Sequence, residues 1–308
     1  VVPEIASRSH VESLPGVISE AVCSAGIQWC DIDMIAATFG PGLASSLLVG
    51  VAAAKGLSLR LRRPLRAVNH LEAHIYSVFL GHGKPSMDEV SPFLALVVSG
   101  GHTCLVEVEG LGKYRVKGQT VDDAAGEAFD KGASLLGLGY PGGPRVQKAA
   151  AGGFRDFVRF PRSRPRKTSS FLQGLNPEMC LSFSGLKTAL LYYLRDNPLC
   201  PENLPSIAAS YQEAIVDNLI ESVDRALGAN RGIVAGGGVS LNGRLRERLL
   251  ELGCAKHVDV RLAEPNYCGD NAAMIAALAG AKGYNNADES TLDLDVVPSL
   301  SIDNGSWA

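Results

Sequence analysis

The chain lacks the marks of a disulfide scaffold, a membrane span or a broadly cationic nucleic-acid binder. Its seven cysteines are scattered without one Cys-x-x-Cys pair, which excludes a zinc ribbon and a paired disulfide framework and suits a reducing compartment. No apolar run reaches 18 residues, and the opening Val1-Val2-Pro3-Glu4 has neither the basic region nor the apolar core of a signal peptide. No membrane partner and a cytoplasmic location are therefore expected. The formal net charge of -3 provides no global cationic field, so any RNA contact has to be made by a local patch.

What the chain does have is glycine, 34 residues in 308, the composition of many tight strand-to-helix turns. That length exceeds what one core usually organises, so two lobes are expected. Residues 8–27 read as an amphipathic helix and 31–38 as an apolar strand running into Gly40-Pro41-Gly42. A small, apolar helix over 45–61 and a buried strand over 65–68 follow, leading to Asn69-His70-Leu71-Glu72-Ala73-His74 at a helix start. Phe93 to Val98 and Thr103 to Val108 read as two strands of a hairpin with Ser99-Gly100-Gly101-His102 at its tip. Later, 232–235 is a strand entering Gly236-Gly237-Gly238, with a helix over 241–252 beyond it. Between them a long helix over 205–227 carries Ile207, Tyr211, Ile215, Leu219, Val223 and Leu227 four apart, one buried stripe. Residues 1–91 are expected to form an N-terminal lobe completed by a helix near 271–284. Residues 92–270 make a C-terminal lobe, and 285–308 a tail. Two α/β halves with inward glycine turns suit a nucleotide cleft between lobes.

His70 and His74 stand at i and i+4, so on a helix both imidazoles share a face and can share one metal ion; a chance pair is an equal alternative until a third ligand is found. Glu72 falls about 200° round the helix from His70, away from such a metal, which removes the general base a His-Glu-x-x-His peptidase needs. Each glycine turn could cradle phosphate through its amides, though structural glycines at strand ends are commoner and no Walker lysine or Rossmann spacing follows. Of the four carboxylates between Asp122 and Asp130, most fit helix-dipole compensation; Asp130 is the one expected to meet ribose hydroxyls. Arg155, Arg159, Arg162, Arg164, Arg166 and Lys167 make a basic loop with no acid after Asp156, read equally as a solvated face or a phosphate-binding patch.

These segments together resemble the TsaD family of tRNA threonylcarbamoyl transferases. The likeness runs from Val1-Val2-Pro3-Glu4-Ile5-Ala6-Ser7-Arg8 through Gly40-Pro41-Gly42-Leu43, the 69–74 helix start and Val98-Ser99-Gly100-Gly101-His102-Thr103 to Asp122–Lys131. It continues through Tyr140-Pro141-Gly142-Gly143-Pro144, 182–188, 235–240 with Asn242, and Gly269–Ile275. The His102-Thr103 ending is of bacterial or organellar type. The resemblance implies an actin-like (ribonuclease H-like) α/β fold, with His70, His74 and Asp270 as ligands of one divalent ion, iron(II) ahead of zinc. Val97, Val98, Ser99, Gly100, Gly101, Asp130, Gly143 and Asn242 would hold the substrate, and ATP or ADP could occupy the adenylate site. It implies transfer of the threonylcarbamoyl group from threonylcarbamoyl-AMP to the exocyclic amine of the adenosine 3′ of the anticodon, in tRNAs reading codons that begin with A. Implied partners are tRNA and accessory proteins of the TsaB and TsaE type, or a second copy in a homodimer if the chain is organellar, where the location would be mitochondrial. The competing readings are a non-catalytic actin-like scaffold and a metallopeptidase. Family members also open with a strand, a phosphate-facing turn and a second strand that would precede Val1. Their absence is expected to weaken ATP or adenylate binding and turnover and to expose a sheet edge to self-association.

Overall fold

The computed structural model describes residues 3–162, 164, 165, 172, 174–283 and 292–303. The elements are α1 (Pro3–Ser24), β1 (Ile35–Gly40), α2 (Ala44–Leu61), β2 (Leu65–Asn69), α3 (His70–Tyr76), α4 (Met87–Val90), β3 (Phe93–Val98), β4 (Thr103–Gly110) and β5 (Lys113–Gln119). Then come α5 (Ala125–Leu135), α6 (Gly142–Ala149), α7 (Ser184–Asp196), α8 (Leu204–Ala226), β6 (Gly232–Gly236), α9 (Gly243–Lys256), β7 (Asp259–Leu262), α10 (Pro265–Cys268) and α11 (Ala272–Ala281). The architecture is α/β with a mixed sheet. The chain divides into two compact units, Val1–Tyr76 with Asn271–Ala308, and Ser77–Asp270.

In the first unit β1 and β2 pair in parallel, and α11 packs on both strands and on α3. The 18-residue α2 is apolar enough by length and composition to cross a membrane. Its Leu47, Val51 and Ala54 are nevertheless buried, and its Lys55 donates to Leu294 O at 2.6 Å. Residues 292–303, expected as part of a tail, pack along this unit. Val297 N donates to Phe39 O, Gly42 N to Pro298 O, Asn69 Nδ2 to Ser301 O, and Ile302 is buried. Gly40 is needed for this approach, since a Cβ there would sit 2.8 Å from Leu300 Cβ. The Gly40-Pro41-Gly42 turn is thus filled by the chain's own C-terminal segment rather than open to a phosphate.

The second unit is a five-stranded sheet in the order β5-β4-β3-β6-β7. β3 lies at its centre, antiparallel to β4 and parallel to β6, and all six of its residues are buried. A strand covered on both faces has no polar face to alternate with, hence the unbroken apolar run Phe93–Val98. All six residues of the expected stripe between Ile207 and Leu227 are buried, each contributing about 2 kcal/mol of transfer free energy. The helix is also buried well beyond that stripe, at Ser206, Ser210, Gln212, Glu213, Asn218 and Ser222, because α6, α9 and the sheet flank it. Phe79 packs its ring on Phe93 at 5.7 Å, which draws Ser77–Ser91 into this unit, ahead of the boundary expected at 91.

Candidate functional site

The residues implied for the metal come together. Asn69 ends β2 and accepts hydrogen bonds from Leu71 N and Glu72 N with its Oδ1 (2.8 and 3.1 Å), so strand passes into α3 with no spacer. That start fixes His70 and His74 one turn apart, their ring centroids 4.6 Å from each other and nearly perpendicular. Asp270 is peptide-bonded to Asn271, whose side chain caps α11 by accepting from Met274 N. It therefore arrives with the helix that packs along α3. His70, His74 and Asp270 each offer a ligand atom, and these atoms lie within 4.8 Å of one another. Two imidazoles and one carboxylate suit a borderline divalent ion with positions left open. Glu72 turns the other way, fully buried, and its Oε2 accepts from Lys282 Nζ at 2.7 Å.

The residues implied for the nucleotide gather at one edge of the five-stranded sheet. Since β3 and β6 are parallel with Val97 opposite Gly236, their glycine turns leave side by side at the carboxyl ends, where open α/β sheets bind ligands. The first turn is closed by Ser99 N donating to His102 O and His102 N to Ser99 Oγ. Gly100 and Gly101 are exposed. Among the described residues their amides donate no hydrogen bond, and a Cβ at either would meet nothing within 4 Å. Val97 and Val98 are fully buried, so only their backbone can reach a ligand. Thr103 Oγ1 caps α5 by accepting from Ala125 N. Gly126 lets that helix start touch the turn, since a Cβ there would sit 2.6 Å from Ser99 O.

Asp130 is half-buried and its Oδ1 accepts from Gly142 N at 2.7 Å, capping α6 and setting Gly143 beside it. Asn242 is the N-cap of α9, accepting from Leu245 N and donating to Gln212 Oε1. Both of the amide's heavy atoms are already used within the protein. Asn242→Ala is expected to cost about 1 kcal/mol through the lost cap and to weaken ATP binding as well. Thermal unfolding and titration of the same variant check the two effects separately.

Several groups at this edge have partners that the sequence did not indicate. Asp122 accepts from Ser182 Oγ, Phe183 N and Ser184 Oγ (2.6, 2.7 and 2.8 Å), an anion lodged at the start of α7. Lys131 bridges Asp123 and Glu127. Burial opposes its charge, but these bonds prevail and hold its pKa above the ordinary lysine value. Burial, with the Asp123 charge, pushes the Tyr211 phenol well up, and its hydroxyl donates to Ala128 O.

The basic loop is less cationic than its sequence. Arg162 binds Asp217 (2.7 Å) and Arg164 binds Glu221, both acids on α8, while Arg166 and Lys167 lie outside the described residues. Arg162→Gln with Arg164→Gln is therefore expected to leave the salt dependence of tRNA binding unchanged, since each arginine that neutralises a phosphate accounts for about one unit of that slope. Filter binding across a salt series measures it. A slope reduced by two would return both arginines to the RNA.

A mixed α/β sheet with glycine turns at its carboxyl edge, together with a His-His-Asp ligand group, defines the general class. Two HypF structures share the fold, one from T. kodakarensis and one of the full-length protein in its phosphate- and nucleotide-bound form, each with a TM-score of 0.58. The T. kodakarensis protein is 14% identical over 85% of this chain and the full-length one 13% over 84%, and this chain spans only 42% and 40% of their respective lengths. At that identity they speak to fold alone. Residues 1–277 match the TsaD family, tRNA N6-adenosine threonylcarbamoyltransferase, and the chain belongs to that family. Proteins of that name are 44% identical in Geotalea uraniireducens (strain Rf4) over 307 residues and 45% identical in Kosmotoga olearia over 305. The Salinibacter ruber protein is 46% identical over 310 residues. Each alignment takes in 98% of this chain and 85%, 87% and 88% of the respective relative. The chain is accordingly a transferase that modifies tRNA.

Proposed function

We propose that the chain transfers the threonylcarbamoyl group of threonylcarbamoyl-AMP to the exocyclic amine of the adenosine 3′ of the anticodon, in tRNAs reading codons that begin with A. The observation that carries the site is the grouping of His70, His74 and Asp270, whose ligand atoms fall within 4.8 Å. When bound there, a divalent ion, iron(II) ahead of zinc, supplies Lewis-acid stabilisation of negative charge on the adenylate. The amides of Gly100 and Gly101 hold phosphate, as exposed donors with open space before them. Val97, Val98 and Ser99 shape that turn through their backbone. Asp130, whose Oδ2 is left over from capping α6, takes a ribose hydroxyl beside Gly143, and Asn242 borders the base. The amine nitrogen bonds to the carbamoyl carbon, the bond from that carbon to the phosphate oxygen breaks, AMP leaves, and the amine's surplus proton passes to solvent. ATP or ADP occupies the same adenylate site.

The fold reading that goes with this is actin-like. Accessory proteins of the TsaB and TsaE type are the proposed partners, with a second copy as the alternative. The exposed Ile5, Val11 and Val17 of α1 and Leu48 and Leu59 of α2 support a protein partner on the first unit. A tRNA substrate suits the cytoplasm. Against the scaffold reading stands the intact ligand group, which a scaffold does not need. Against the peptidase stands Glu72, engaged with Lys282. The test is mass spectrometry of nucleosides from tRNA incubated with the protein, its accessory subunits and threonylcarbamoyl-AMP. Threonylcarbamoyl-adenosine is the expected product, and unmodified adenosine under those conditions would overturn the assignment.

A further inference from the structure

We infer that Phe154, Arg155, Phe157 and Arg159 form a docking surface for unpaired nucleotides of the tRNA, an inference that rests on the transferase reading. Phe154 is 72% exposed and Phe157 50%, yet the segment bearing them is firmly held. Phe154 N donates to Ser206 Oγ and Val158 N to Ser210 Oγ, whose hydroxyl donates in turn to Phe154 O. At its end Phe160 is buried, edge-on to Tyr193 and Tyr211. The two exposed rings are therefore presented by a fixed backbone. Such rings suit base stacking, because every base has a π-face and an ordered platform loses little entropy on binding.

Charge follows the same division. Arg162 and Arg164 are neutralised by α8. Arg159 is exposed with no ion pair among the described residues, and Arg155 stands 3.9 Å from a half-exposed Glu247, an arrangement of little strength. Two cations thus flank the rings, against two exposed acids, Asp156 and Glu247, the latter already held by Arg244 at 2.6 Å. The surface also adjoins the nucleotide residues: Phe154 and Arg155 line a cavity of about 520 Å³ together with Gln147 and Gln212. Gln212 bonds Asn242, and Gln147 accepts from Gly243 N. Stacking beside that cavity would hold an anticodon loop with its neighbouring adenosine within reach of the adenylate. Phosphate-only binding would need the arginines and not the rings, and a protein partner would not need unpaired bases.

The test titrates the full chain with labelled anticodon stem-loop RNA and, separately, with a fully paired duplex of equal length. Phe154→Ala with Phe157→Ala is expected to weaken stem-loop binding about tenfold or more, leaving duplex affinity, ATP affinity and Tm unchanged. Arg159→Gln should lower the salt slope by about one. Equal stem-loop affinity in the double alanine variant would overturn the inference, as would equal losses for stem-loop and duplex. Loss of accessory-subunit assembly with RNA affinity intact would assign the rings to a protein instead. If the unaltered chain modifies tRNA while these variants bind RNA normally, this inference alone fails. If the unaltered chain neither binds nor modifies tRNA, the transferase reading fails and takes the inference with it.

Discussion

Asp270→Ala should release the divalent ion and reduce threonylcarbamoyl transfer by more than a hundredfold. Loss of one of the three proposed protein ligands would leave a histidine pair that holds a borderline ion weakly. The Lewis-acid contribution forfeited is several kcal/mol, where about 3 kcal/mol already exceeds a hundredfold in rate. Asp270 is the informative ligand because it is exposed, so its truncation should not disturb packing. His74 is fully buried, and its replacement would mix metal loss with destabilisation. Elemental analysis gives occupancy, circular dichroism reports the fold, and kcat/KM for transfer gives the chemical effect. A folded Asp270→Ala protein that keeps a full equivalent of metal would remove Asp270 from the ligand set. One that loses metal and keeps its rate would separate the ion from catalysis.

Gly237→Ala is expected to destabilise the second unit by about 3 kcal/mol and to abolish measurable ATP binding. The residue sits at φ 95° and ψ 158°, a conformation essentially reserved for glycine and costing other residues about 1–3 kcal/mol. A Cβ there would also run into the backbone of Val98, whose carbonyl carbon lies 2.7 Å away. That atom belongs to rigid β3 and cannot yield cheaply, so relief has to come from separating the two glycine turns proposed to face the nucleotide. Chemical denaturation and calorimetric titration measure the two consequences. Wild-type ATP affinity in a folded Gly237→Ala protein would show that the 236–238 turn is not part of the site. By contrast Gly100→Ala meets open space and should leave stability nearly unchanged.

The contrast between elements found and missed in the sequence follows from where each lies. The central β3 and the stripe on α8 were legible because burial on both faces, or along one face, imposes a pattern that few other structures share. β5 and β7 were not. β5 reads Lys113-Tyr114-Arg115-Val116-Lys117 at the sheet's edge, with Lys113 and Arg115 exposed, and β7 is four residues long, too short for a period to show. Of the site, the histidine spacing and the glycine turns were readable locally. Asp270 was not, since nothing near it in sequence indicates that α11 returns to α3. The same limit hid the partners of the basic loop: Asp217 and Glu221 lie more than fifty residues from Arg162 and Arg164. Charge counted along the chain therefore overstated a patch that folding partly cancels.

The first unit is discontinuous, leaving at Tyr76 and resuming at Asn271, and this orders events during synthesis. β1, β2 and α3 emerge early, but the helix that covers them, α11, is complete only at Ala281. At ordinary elongation rates the interval is roughly 10 to 40 s, during which a two-stranded sheet is too small to be stable alone. The intervening Ser77–Asp270 contains its whole sheet and can fold meanwhile. Nascent chains stalled shortly before Asn271 should accordingly show a protease-resistant core beginning near Ser77, with everything upstream still open to cleavage and to chaperones.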